Sequence, residues 1–172
     1  MKTLQRLGTG GLRLSRYRFR HYLFQKYLYS SLDEVERVHL HEQVGTALEG
    51  LYGAQEEIAA VADIAPQLAR HFQEAGIAEK AVDYLCQAGE RAARMSAHAE
   101  AIAHFTQGLE LLETLPDGPE RARQELALQL ALGIAWMTTA APAPEVEKAY
   151  TRARELCRQM GKMSQLCRVV GG

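Results

Sequence analysis

Leu68, Ala69, Phe72, Gly76, Ala81, Leu85 and Ala88 recur at steps that alternate small and large residues along two helical faces. That spacing predicts two helices joined by a tight turn. Ala69, Ala81 and Ala88 let the helices approach closely, Phe72 and Leu85 fill the space between them, and Gly76 permits the turn. One such pair cannot bury both of its faces, so about three or more units must stack. The pattern describes a part that stacks on neighbours and binds other proteins, not one that does chemistry.

Composition agrees with helices. Of the 172 residues 47% are apolar, only 7% are aromatic, and Ala and Leu are abundant. The net charge of −1 hides an asymmetry. Residues 1–32 carry seven basic groups (Lys2, Arg6, Arg13, Arg16, Arg18, Arg20 and Lys26) and no acid, whereas residues 33–172 carry a net −8. The contrast points to a boundary near residue 32, and the chain is read as a front region, residues 1–54, and a helical region, residues 55–172. Cys86, Cys157 and Cys167 are odd in number and lack a C-x-x-C, which argues against a disulfide framework or a zinc site and for a reducing, cytoplasmic setting. No signal core or spanning apolar run is present, so no membrane association is expected.

Along the chain, Arg16, Tyr17, Arg18, Phe19 and Arg20 alternate as in a half-buried strand. A helix is predicted over 21–30, with Tyr22, Leu23, Phe24 and Tyr27 on its apolar side. Asp33 should cap the next helix, with Glu34 and Glu36 in its first turn, Leu40, Val44, Ala47, Leu48 and Leu51 as its buried stripe, and Gly53 as its end. Pro66 should open a short helix ending at Gly76. Helices over 78–95 and 97–115 follow, the first with an external Glu90–Arg94 pair. The turn at 116–119 leads into a helix over 120–138 with leucines on more than one face. A last amphipathic helix carries Val146, Ala149, Tyr150, Ala153, Leu156, Cys157 and Met160 and stops at Gly161.

These segments resemble the tetratricopeptide repeat, whose period is about 34 residues. Ala149 lies two such periods beyond Ala81, and Leu132, Gly133 and Trp136 match the first-helix signature. Ala101, Phe105 and Gly108 fit the second-helix pattern too early for that period, so the repeat register stays open. An irregular helical bundle is the alternative. The predicted fold class is mostly α: a partial winged helix with a short β element, then a tetratricopeptide-like antiparallel helical stack, or α-solenoid, truncated at its C-terminus.

Residues 14–25, together with the stretch from Leu32 to Leu51, are similar to the winged helix of bacterial STAND-type signalling ATPases. Residues 67–76, 88–92 and 145–157 are similar to the repeats that follow it in multidomain members, some of which carry a nucleotide cyclase or protein kinase domain. The resemblance implies a regulatory, protein-binding fragment of a signal-transduction ATPase or transcriptional regulator. It also implies that His21 stands where a winged-helix histidine contacts a nucleotide phosphate. ATP or ADP with Mg is implied only for the parent protein. Gly8, Gly10 and Gly11 are followed by Leu12 and Arg13, so the lysine and hydroxyl of a phosphate-binding loop are missing and no cofactor is expected in this chain. The chain is not read as an enzyme. His39 and His41 lie on different sides of a helix and His98 and His104 do not face each other, so no metal site is predicted. A second functional class is a DNA-binding regulator touching phosphates through Arg16, Arg18 and Arg20. Tyr84, Trp136 and Tyr150 are candidates for core or contact residues.

Overall fold

The computed structural model describes residues 21–53, 58–139 and 143–161. Seven helices lie among them: α1 (Tyr22–Ser31), α2 (Glu34–Gly53), α3 (Ile58–Glu74), α4 (Ala78–Arg94), α5 (His98–Leu112), α6 (Pro119–Thr138) and α7 (Ala143–Gln159). No strand occurs among the described residues, so the chain is mostly α. The expected strand over 16–20 lies outside them. The chain divides into two compact units, residues 1–37 and 38–172.

In the first unit, α1 buries none of its residues. Tyr22, Leu23, Phe24 and Tyr27, expected as an apolar side, are all exposed. The start of α2 is set by a capping box. The Asp33 carboxylate accepts the Glu36 backbone N–H at 2.8 Å, and the Glu36 carboxylate accepts the Asp33 N–H at 2.9 Å.

In the second unit, successive helices pack side by side from α3 to α7, and α4 also reaches α6. Connections of three residues turn the chain back between α3 and α4 and between α4 and α5. The two turns share one hydrogen-bond pattern. The Ile77 N–H donates to the Phe72 carbonyl at 2.8 Å and the Gly76 N–H to that of Gln73 at 3.0 Å. Twenty residues later Ala97 donates to Ala92 at 2.9 Å and Ser96 to Ala93 at 3.0 Å. Both are Schellman closures, which need a left-handed residue after the helix. Gly76 supplies it at φ 71° and Ser96 at φ 60°.

The twenty-residue displacement extends to the core. Ala81 and Ala101, Leu85 and Phe105, and Ala88 and Gly108 are equivalent pairs, and all are buried. α4 therefore closes one hairpin and opens the next. Its Ala81 belongs to a core with Ile64, Leu68 and Phe72, while its Val82 and Ala92 belong to a second core with Phe105, Leu112, Leu128 and Leu132. Each fully buried Leu or Phe contributes roughly 1.5–3 kcal/mol, which is why a two-faced helix is stable only between two neighbours.

Three local expectations are corrected. Pro66 lies inside α3 instead of opening it. Its lost hydrogen bond is outweighed because Val61, Ile64, Leu68 and Phe72 form one continuous apolar stripe through it. The inner face of α2 is rotated from the predicted one: Leu40 and Ala47 are exposed, whereas His41 and Gly45 are buried and Leu48 and Tyr52 pack on the Phe72 core. A Cβ on Gly45 would sit 3.0 Å from the Phe72 ring, so the ring selects the glycine face. Finally, Arg91 and not Arg94 makes the ion pair at the end of α4, to Asp63 at 2.8 Å.

Candidate functional site

An open groove of about 910 Å³ has α6 as its floor and α5 and α7 as its walls. Its position follows from the sequence of α6. Arg121, Glu125, Gln129, Leu132 and Trp136 step by four, four, three and four residues, one stripe along the helix. Pro119 starts that helix at its first turn, after the turn at 116–118. The adjoining stripe, with Leu128 and Ala135, is buried in the second core together with Leu132. Leucines on several faces of α6 are explained by this: Leu126, Leu128, Leu130 and Leu132 are all buried or half-buried.

Close approach of the walls depends on small residues. A Cβ on Gly133 would meet the Tyr150 ring at 3.0 Å, and one on Gly108 would meet Leu128 at 3.1 Å. Ala149, Ala153 and Leu156 bury the inner face of α7. The Tyr150 hydroxyl reaches the Met137 sulfur at 3.5 Å. Trp136, half-buried, remains in the groove together with Leu109, Leu112 and Leu132.

Charged groups line the walls, and most of the positive charge is already used. The Arg152 guanidinium holds the Glu125 carboxylate through two bonds, 2.6 and 3.1 Å, and reaches Glu155 at 3.4 Å. The Glu125 hydrogen bond and the nearby carboxylates raise the affinity of Arg152 for its proton. Arg121 donates to the Leu115 carbonyl at 3.0 Å and pairs with Asp117. The exposed carboxylates of Glu113, Glu145 and Glu147 engage no cation among the described residues, and Lys148 is the unpaired base beside them.

The predicted signature residues fall in three places. Leu68, Ala69, Phe72, Ala81, Leu85, Ala88, Ala101, Phe105, Gly108, Gly133 and Ala149 are buried between helices, and Gly76 occupies an exposed turn. Leu132 and Trp136 face the groove. Tyr84 is elsewhere: its ring stacks on Phe72 at 5.7 Å and 10°, and its hydroxyl donates to Glu49 at 2.7 Å. Burial and the Glu49 carboxylate push its phenol pKa up. His21 is the exposed residue preceding α1, with no side-chain cap bond. Arg16, Arg18 and Arg20 lie outside the described residues, as does Cys167. Cys157 is buried, and the half-buried Cys86 thiol is pushed up to about 12 by burial and by Glu90 and Asp83.

Among the polar contacts that sequence reasoning missed is a pair of histidines. His41 and His71 meet Nδ1 to Nδ1 at 3.0 Å between α2 and α3. One ring must donate and the other accept, so the contact requires at least one neutral imidazole. Burial, His41 and Arg70 hold the His71 pKa below its usual 6.5, with Glu74 opposing. Among the described residues no three His, Cys, Asp or Glu side chains converge as a metal site, and no helix is long and apolar enough to cross a membrane. No protein family, curated protein or solved structure matches the chain.

Proposed function

We propose that the chain is a protein-interaction element: a tetratricopeptide-like helical stack whose groove over α6 receives a segment of a partner protein. The observation that carries this reading is the groove itself. It is about 910 Å³ in volume, and it keeps the half-buried Trp136 within reach of solvent between charged walls. Aromatic side chains set in a concave surface with a polar rim are the usual anchors of protein recognition. The displacement of twenty residues between the two hairpins supports a repeat in which one helix serves two neighbours.

The role proposed for this element is regulatory and non-catalytic, within or beside a STAND-type signalling ATPase in the cytoplasm. Residues 14–25 and 32–51 support it through their similarity to a winged helix, and residues 67–76 through their similarity to the repeats that follow one. ATP with Mg would belong to a nucleotide-binding part, since this sequence has no G-x-x-x-x-G-K-[ST].

The test is a selection of displayed random dodecapeptides on the purified full chain, followed by binding measurements on Trp136→Ala. Loss of roughly tenfold or more in affinity is expected, as for a central aromatic anchor. Peptides that bind equally well to Trp136→Ala would overturn the groove as the binding surface. For the signalling role, an encoded phosphate-binding loop next to this reading frame is expected; unrelated neighbours on both sides would count against it.

A further inference from the structure

The charge pattern of the groove identifies the chemistry of its occupant. Two of the three basic groups lining it are neutralised by their own neighbours, Arg152 by Glu125 and Glu155 and Arg121 by Asp117. What faces an incoming ligand is therefore Glu113 on the α5 wall and Glu145 and Glu147 on the α7 wall, against the single ammonium of Lys148. Glu145 lies in the first turn of α7, where the helix N-terminus offsets part of its charge. Glu113 and Glu147 keep theirs in full, one on each wall. Between the walls the accessible part of the floor is the half-buried Trp136, and Leu132 is buried.

We infer that the groove binds a peptide segment with an apolar or aromatic anchor flanked on both sides by lysine or arginine. This deepens the peptide-binding reading above and rests on it. The anchor seats against Trp136, while flanking cations on either side of it meet Glu113 and Glu147. An acidic peptide would place its carboxylates against these same groups, a like-charge juxtaposition that lowers affinity and slows encounter. It could recruit Arg152 only by breaking a two-point bond to a carboxylate that is 15% exposed. The Arg152 pair thus acts against the wrong ligand as well as holding α7 on α6.

The test compares the peptides selected by the wild-type chain with those selected by the triple variant Glu113→Lys, Glu145→Lys and Glu147→Lys. All three positions are exposed, so the fold should survive, and an unchanged helical melting curve checks this. The wild-type chain should enrich sequences with Lys or Arg on both sides of Trp, Phe or Leu, with binding that weakens steeply as salt rises. The triple variant should bind those peptides about tenfold or more weakly and enrich acidic ones instead. Enrichment of acidic or uncharged peptides by the wild-type chain, or the same preference in both chains, would overturn the inference. If those peptides still required Trp136, the groove would remain a peptide site and only its charge preference would be wrong. If no selected peptide required Trp136, both readings would be overturned together.

Discussion

The hairpins α3–α4 and α4–α5 close with the same backbone hydrogen bonds twenty residues apart, yet they fill equivalent positions differently. The first has Gly76 in its left-handed turn position, and Ala69 and Leu85, both buried, on its two helices. The second has Ser96 in the turn, and Gly89 and Phe105 where Ala69 and Leu85 stand in the first. A Cβ on Gly89 would overlap the Phe105 ring. A larger side chain on one helix is thus matched by a smaller one on the other. What is kept between the hairpins is helix separation and turn geometry, not residue identity.

The largest break in this comparison should come from the ring. Phe105→Ala should destabilise the chain by about 3–5 kcal/mol, as measured by urea unfolding, because it empties the centre of the second core. The next test exchanges one hairpin's solution for the other's. Gly89→Ala alone should cost about 1–3 kcal/mol through overpacking. Combined with Phe105→Leu, which recreates the Ala–Leu pair of the first hairpin, it should cost much less than the two single changes added. Simple additivity in that double-mutant cycle would show that the two positions are not coupled.

A smaller effect separates the turns by sign. Gly76→Ala should lower stability by about 1 kcal/mol, and Ser96→Gly should raise it by a few tenths to about 1 kcal/mol, since only glycine occupies that conformation without a Cβ penalty. Two thermal melts decide it, and stabilisation by Gly76→Ala would contradict the shared turn geometry. The smallest expected difference lies outside the hairpins. The seam of α3 against α2 contains the His41–His71 contact, whereas Gly108 on the far side of the second hairpin has Leu128 and Leu85 as its nearest neighbours. With the His71 pKa lowered in the folded chain, its contribution to stability is present above 6.5 and is lost as pH falls from there toward the lowered value. Melting temperature should therefore drop between pH 7 and pH 5, and it should drop less in His71→Gln. Equal drops in the two chains would exclude His71 as the source.

α1 shows where pattern alone misleads. Its apolar residues have the spacing of a buried side, yet Leu23 is 75% exposed and Tyr27 70%. Periodicity states what a helix can bury, and only a neighbour makes it do so. The inner face of α2 was legible only in part, for the opposite reason, with Val44, Leu48 and Leu51 half-buried as expected. His41 and Gly45 carry no hydrophobic signal, but they are the residues that fit beside His71 and the Phe72 ring. The groove was half legible. Trp136 and Leu132 stand out in the sequence, but the Glu125–Arg152 clasp spans 27 residues and two helices. No local spacing rule connects such a pair.

The sequence by itself determined the mostly helical class, the turns at Gly76, at 116–118 and at Gly161, and most of the buried residues of α4 to α7. These depend on capping, backbone freedom and the 3.6-residue period, all of which act within a few positions along the chain. Tertiary structure decided which face of α2 points inward, that Pro66 lies within a helix, and which wall charges of the groove are cancelled. Those outcomes depend on side-chain volume and charge meeting across helices distant in sequence, where fit is set by a partner's shape and not by the residue's own preference.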